Sequence, residues 1–175
     1  MKSIQRKQGG FSLVEILLVL GIIALLAIAA FIIFPQVQAA NRANTEQSNI
    51  TTMAAGIKNL YGATRNYDQI AARTLIQARI APSSMYANNT AATTLTSAWS
   101  GDVAVAASGT NNSQFTITYA AVPSEVCTRL VPGLIANFQS VTVGTTVVSA
   151  QNPGAIVGAC SPASNAAVPV AFTSN

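Results

Sequence analysis

Histidine is absent from the 175-residue sequence, and charged residues make up only 8% of it. Without histidine, the chain lacks the usual general base at neutral pH and the commonest metal ligand. Two cysteines and so few carboxylates do not supply the four ligands of a structural zinc site. These shortages argue against an enzyme and predict neither a cofactor nor a metal centre.

Positive charge is concentrated at the N-terminus. The formal net charge is +4, from nine basic and five acidic residues. Lys2, Arg6 and Lys7 lie within the first ten residues, and the rest of the chain has six basic against five acidic residues, a net charge of +1. No basic patch remains beyond the N-terminus, so no nucleic-acid site is predicted.

One apolar segment dominates the sequence. Residues 16–34, ILLVLGIIALLAIAAFIIF, contain no polar side chain. As a helix, these residues span about 28 Å, close to the hydrocarbon thickness of a bilayer. The positive N-terminal stretch and the charge-poor chain beyond the segment predict a cytoplasmic N-terminus and a head on the outer side of the inner membrane.

Three interpretations of this segment remain open. A cleaved secretory signal needs a shorter apolar stretch and a small-residue cleavage site, which the sequence does not offer before Gln36. A plain signal anchor fits the hydropathy but leaves Gly9, Gly10 and Glu15 unexplained. The third interpretation is cleavage before the apolar run, between Gly10 and Phe11.

The string GGFSLVEILLVLGIIALLAIAAF closely resembles the processing and assembly segment of type IV prepilins. The resemblance implies that residues 1–10 are a leader peptide, removed by a prepilin peptidase that cuts after Gly10. It further implies N-methylation of Phe11 and an assembly role for Glu15, the fifth mature residue. Residues 11–35 are then a transmembrane and assembly helix.

Glu15 also has a physical argument of its own. A carboxylate within a membrane helix is costly and usually has a partner and a function. Its place in the first helical turn is favoured by the helix dipole. The alternative is an interfacial glutamate that only reaches the headgroups; its position four residues after Phe11 favours the assembly role.

The apolar helix is predicted to continue as an amphipathic one over residues 36–62. Pro35 predicts a kink or local melting. Apolar residues then recur at three- and four-residue spacing, and Glu46 is expected among the solvent-facing polar residues. The expected apolar face comprises Val37, Ala40, Ala43, Gln47, Ile50, Met53, Ala54, Ile57, Leu60 and Tyr61.

Residues 63–175 predict a globular α+β head with a mostly antiparallel β-sheet. A short helix is expected at 71–80, a polar loop at 87–101, and a hairpin of two strands that contain Val103 and Ile117. A second helix is expected to open at Pro123. Further strands are expected around Val141, Val143, Val147 and Val148, a stretch that Gly144 and Pro153 are expected to interrupt, and at residues 168–172.

The head also resembles type IVb pilins, particularly the conjugative thin-pilus class. The resemblance rests on Leu60-Tyr61, Tyr67, the Trp99-Ser100-Gly101 turn and residues 123–127, a Pro–Cys stretch. Ser100 departs from the family pattern, which has glycine there. Together the two resemblances imply the type IV pilin fold.

Cys127 and Cys160 are predicted to form a structural disulfide, because the head lies on the oxidising side of the membrane. A bridge between them closes a loop that stabilises the fold by about 3.5–4 kcal/mol in the chain-entropy model. A reactive thiol pair is the alternative. It lacks a CxxC spacing and a histidine to activate the thiolate.

Weaker signals give no site. Asp68 and Asp102 could join a surface calcium site, but nothing specifies further ligands. Arg65, Arg73 and Arg79 are interpreted as solvated, with a weak contact between subunits as the alternative. Asn49 and Asn88 match the glycosylation triplet at chance level in a sequence rich in Asn and Thr.

These features predict the structural subunit of a type IV pilus for adhesion, aggregation or conjugation. Its expected partners are identical subunits in a helical homopolymer, the prepilin peptidase and the inner-membrane assembly machinery. The precursor is expected in the inner membrane and the mature subunit in an extracellular pilus. A type II secretion pseudopilin or minor pilin is the nearest alternative. A signal-anchored binding or enzyme domain is the alternative from another class.

Overall fold

The computed structural model describes residues 12–86, 91–161 and 166–175. The chain divides into two units, Met1–Gln38 and Ala39–Asn175. Helix α1 (Leu13–Tyr61) contributes to both. Gly10 and Phe11, the predicted processing site, lie outside the described residues.

Helix α1 forms because its first half is rich in Leu, Ile and Ala and its second half repeats apolar residues at helical spacing. Pro35 lies inside α1, and helix is assigned on both sides of it, so the local melting expected there does not occur. Gly62 follows the last residue of α1, in agreement with the predicted end.

Within its described residues, the unit Ala39–Asn175 adds three α-helices and six strands to the end of α1. The helices are α2 (Ala72–Gln77), α3 (Ser124–Leu134) and α4 (Pro153–Cys160). The strands are β1 (Leu95–Thr96), β2 (Asp102–Ser108), β3 (Gln114–Val122), β4 (Ser140–Val143), β5 (Thr146–Val148) and β6 (Val168–Ser174).

All six strands form one antiparallel sheet in the order β1-β2-β3-β6-β4-β5. The predicted hairpin is confirmed: β2 pairs with β3, with Val105 opposite Ile117. The last strand, β6, inserts between β3 and β4 and pairs with both. The C-terminal strand therefore lies in the interior of the sheet and joins its two parts.

The core lies between the sheet and the helices that cover it. Alternate residues of β3, namely Phe115, Ile117 and Tyr119, are fully buried. They share the core with Ile50, Met53 and Ile57 of α1 and with Leu130 and Val131 of α3. The α+β class predicted from the sequence is therefore confirmed.

Three features of the head differ from the sequence-based expectation. Strand β1 lies inside the stretch predicted as a polar loop. It pairs with β2, with Leu95 opposite Val103, and the side chain of Leu95 is buried in the core. Helix α4 is not predicted from the sequence, where Pro153 is expected to interrupt the chain; in the structure Pro153 lies in the first turn of α4, after the Asn152 N-cap. The faces of α1 also differ: Glu46 is buried, not solvent-facing, whereas Val37 and Leu60 of the expected apolar face are exposed.

The turn between β1 and β2 has an unusual backbone. Ser100 adopts a φ of 63°, in the left-handed region that favours glycine. At Gly101, a Cβ would lie 3.0 Å from Nε1 of Trp99 and 3.3 Å from the carbonyl oxygen of Ala121, so the ring packs over a bare Cα. The conformation of Ser100 explains why glycine suits this position.

We expect Ser100→Gly to raise the free energy of unfolding of the head by about 0.5–1 kcal/mol, because it relieves the left-handed strain at a small cost in chain entropy. Urea unfolding followed by the fluorescence of Trp99 measures this. Ser100→Ala is the matched control and should give no gain, since it keeps the Cβ. Equal stabilisation by both variants would contradict the strain argument.

Candidate assembly site and its supporting contacts

The first half of α1 leaves its apolar side chains uncovered. Leu13 is 74% exposed and Phe31 is 81% exposed, and the most apolar window of the helix has none of its residues buried. The helix is long and apolar enough to cross a membrane. A surface of this size requires lipid or other apolar helices around it.

Glu15 lies on this apolar surface, in the first turn of α1. Its backbone N–H donates to the carbonyl oxygen of Ser12 at 3.0 Å. Within the described part of the chain, its carboxylate has neither a hydrogen bond nor an ion pair, and it borders a shallow surface depression with Ile16, Val19 and Leu20. The site thus presents one free carboxylate in apolar surroundings.

The structure contains the predicted disulfide. Cys127 of α3 and Cys160 at the end of α4 are bonded, with their Cα atoms 5.5 Å apart. Both residues are fully buried. The bridge links α3 to α4. No residue after Arg129 carries a charged side chain, so the C-terminal part of the chain has no side-chain ion pairs to stabilise it.

Glu46 forms the polar centre of the head. It is 1% exposed, although glutamate side chains are almost never fully buried unless they are paired. Its Oε1 accepts a hydrogen bond from the backbone N–H of Ala98 at 2.7 Å. Its Oε2 accepts from the hydroxyl of Tyr119 at 2.8 Å and from Nδ2 of Asn49 at 3.3 Å. These donors take the place of water around the buried carboxylate.

This cluster is not predicted from the sequence, because helical spacing places Glu46 among polar neighbours. The sequence signal that could have indicated the burial of Glu46 is a spacing of seven residues to apolar positions on either side. Position 46 lies midway between Ala39 and Met53, which are both buried. Gln47, the weak point of the expected apolar face, is half-buried, and its Nε2 donates to the carbonyl oxygen of Arg129 at 3.1 Å.

The weaker sequence signals do not converge in the structure. Asp68 and Asp102 are both exposed, and the described residues contain no group of three or more possible metal ligands. Arg65, Arg73 and Arg79 are exposed, in agreement with their interpretation as solvated.

Of the two glycosylation triplets, the structure describes only the first asparagine, Asn49. Asn49 is 8% exposed and donates to Glu46, so in the folded head it is not an accessible glycosylation site. Asn88 lies outside the described residues.

The hydroxyl of Tyr119 is held in its neutral form. Burial raises the pKa of Tyr119 well above its ordinary value, and the neighbouring carboxylate of Glu46, which accepts a hydrogen bond from the hydroxyl, raises it further. The unfolded chain therefore loses this proton at lower pH than the folded one. The contribution to stability is complete below about pH 10 and is lost as the pH rises toward the folded-state pKa.

We expect Tyr119→Phe to lower the free energy of unfolding at pH 7 by about 1.5–3 kcal/mol, because Glu46 loses a charge-assisted hydrogen bond. The same variant should show a shallower loss of stability above about pH 10. Urea unfolding at pH 7 and at several alkaline pH values measures both effects.

Phe172→Leu is the matched control, since its ring centroid lies 6.4 Å from that of Tyr119 and it does not titrate. It should lower the stability and keep the parent's alkaline slope. A parental slope in Tyr119→Phe would contradict the role assigned to Tyr119.

Two family descriptions match the chain. The family described as PilS N terminal matches residues 40–175, which is most of the chain. The prokaryotic N-terminal methylation motif matches residues 5–31, which include Gly10, Phe11 and Glu15. A comparison with curated protein sequences finds no match.

Solved structures share the fold. The type IVb pilin from Salmonella typhi is 22% identical, with a TM-score of 0.54 over 75% of this chain and 99% of that one. TcpA, a type IV pilin from the Vibrio cholerae El Tor biotype, is 16% identical, with a TM-score of 0.55 over 79% of this chain and 99% of that one. With the family match over the head, these findings identify the chain as a member of the PilS family of type IV pilins, which are structural subunits of the pilus rather than enzymes.

Proposed function

We propose that the chain is made as an inner-membrane precursor, cut between Gly10 and Phe11, methylated on Phe11 and assembled into a pilus through α1. The observation that carries this proposal is the free carboxylate of Glu15 on an uncovered apolar helix, within the methylation motif. The N-terminus is cytoplasmic and the head periplasmic before assembly. The pilus serves adhesion, aggregation or conjugation.

In this proposal the apolar part of α1 passes from lipid into a bundle of identical helices. Close van der Waals contact supplies the attraction, because there is no water to expel from lipid. Leu, Ile and Ala repeat along the whole segment, so such packing specifies the axial position of a subunit poorly. Glu15 of one subunit and the positively charged N-terminal amine of Phe11 in its neighbour supply the missing specificity.

The proposal divides the chain by task. Residues 1–10 are the leader, 11–35 the membrane and assembly helix, 36–62 its amphipathic continuation, and 63–175 the head with the Cys127–Cys160 bridge. The prepilin peptidase and the membrane assembly machinery act on the first two segments. The exposed residues of the head meet neighbouring subunits or the surroundings of the filament.

We expect Gly10→Leu to leave an uncleaved precursor in the membrane, because the residue before the cut must fit the pocket of the peptidase. Intact-mass measurement of membrane-extracted protein should show the ten leader residues still attached and no added methyl group. Gly9→Ala is the matched control and should be processed normally. Mature, methylated protein from Gly10→Leu would show that the junction lies elsewhere.

We expect Glu15→Val to be inserted and cleaved but to yield at least ten-fold fewer pili, because a misplaced or missing charge pair costs several kcal/mol in an apolar bundle. Glu15→Gln, which keeps the shape and removes the charge, should resemble Glu15→Val. Electron microscopy of sheared pili and intact mass measure the two properties separately.

Leu18→Met, an apolar exchange one turn further along, is the control and should assemble normally. Abundant pili of normal subunit spacing from Glu15→Gln would contradict the charge pair and leave Glu15 as an interfacial residue.

A further inference from the structure

The helical residues that face the core of the head follow a regular heptad seam. Positions 39, 43, 46, 50, 53 and 57 alternate steps of four and three residues, and all six are buried. Five of them are apolar: Ala39, Ala43, Ile50, Met53 and Ile57. Glu46 is the single charged residue of this seam.

An apolar heptad seam does not by itself fix how far a helix is inserted. Moving α1 along its axis by seven residues, about 10 Å, would bring Ala43 to the place of Ile50 and Ile50 to the place of Ile57. Each of these exchanges puts one apolar side chain where another was. The shifted packing would lose volume and would bring Asn49 to the place of Gly56, against Ile80, but it would leave no polar group unpaired in the places of Ile50 and Ile57.

Glu46 is the residue that such a shift cannot accommodate. Its carboxylate would move to the apolar place of Met53, and Ala39 would face the N–H of Ala98 and the hydroxyl of Tyr119. The carboxylate would keep only Asn49, which moves with it on α1, while the N–H of Ala98 and the hydroxyl of Tyr119 would be buried without partners, and this desolvation cost adds to the lost packing. In coiled coils, a single buried polar residue at a seam position selects the register in the same way.

We propose that Glu46 is a positioning residue that selects one register of α1 within the head. Gln47, the next residue of α1, makes a second hydrogen bond from the helix to the rest of the head. Its bond to the carbonyl oxygen of Arg129 depends on the absence of a side chain at Gly133, where a Cβ would overlap Gln47. The two neighbouring residues thus tie α1 to the β1–β2 turn, to β3 and to α3.

The register determines which side chains the helix presents outside the head. In the observed register, Arg42 and Lys58 are exposed while Ile50 and Ile57 are buried. Neighbouring subunits in a filament meet the exposed set. A mixture of registers would give a mixture of surfaces, so a uniform polymer requires one register.

Spin-label distance measurement on the full chain in detergent micelles tests this proposal. Both native cysteines are in the disulfide, so labels attach selectively at Asn59→Cys on α1 and Ala104→Cys on β2, which are exposed positions. The parent should show one distance. Glu46→Leu should remain folded and show at least one additional distance, for a helix displaced by up to about 10 Å.

A conservative variant and a control separate register selection from general stability. Glu46→Gln should keep the single distance, because its carbonyl oxygen can accept from Ala98 while its amide donates to the Tyr119 oxygen. Met53→Leu, an apolar exchange at the next seam position, should also keep one distance. The paired variant Glu46→Leu with Tyr119→Phe removes the carboxylate and the hydroxyl together and should show the additional distance as well.

A folded Glu46→Leu or paired variant with the single parental distance would overturn the proposal. An additional distance in Met53→Leu would also overturn it, because packing would then be setting the register. The measurement involves neither cleavage nor filament formation, so its outcome is independent of the function proposed above.

Discussion

The hydrogen bonds to the Glu46 carboxylate are the constraint on which the arrangement of the head depends. They connect three segments that are distant in sequence: helix α1, the β1–β2 turn at Ala98 and the middle of β3 at Tyr119. Apolar contact between α1 and the sheet supplies attraction but little direction. A buried carboxylate is tolerated only where its donors are, so it converts a general attraction into one defined position.

The same helix meets two different physical requirements along its length. Over its first half every apolar side chain described is exposed, which is a larger uncovered apolar surface than monomeric soluble proteins ordinarily have. Over residues 39–61 one side is covered by the head and carries the seam. The disulfide between α3 and α4 stabilises the head by constraining its unfolded chain, and its effect does not depend on charge or ionic strength. This suits a chain of which charged residues make up only 8%.

Features that depend on residues close together in the sequence were predictable, whereas contacts between residues far apart in the sequence were not. The long helix, the β2–β3 hairpin and the helix after Pro123 follow from periodicity and from turn residues within a few positions. The Cys127–Cys160 pair follows from there being only two cysteines. Strand β1 and the burial of Glu46 depend on partners far away in sequence, such as Val103 for Leu95 and Tyr119 for Glu46. The helix at Pro153 was mistaken for a break because a proline in the first helical turn and a proline that ends an element look alike in a single sequence.

Two carboxylates of α1, Glu15 and Glu46, stand in otherwise apolar rows, and a shared physical logic links them. In each case the apolar residues repeat so regularly that neighbouring positions along the helix are nearly equivalent in packing. A charge breaks this equivalence, since a displaced carboxylate loses its partners abruptly while a displaced leucine finds another contact. Glu46 already has its partners within its own head, whereas the Glu15 carboxylate has none within the described residues. In the proposed assembly the partner of Glu15 is the N-terminal amine of Phe11 in a neighbouring subunit, so the same device that positions α1 within one head would position one subunit against the next.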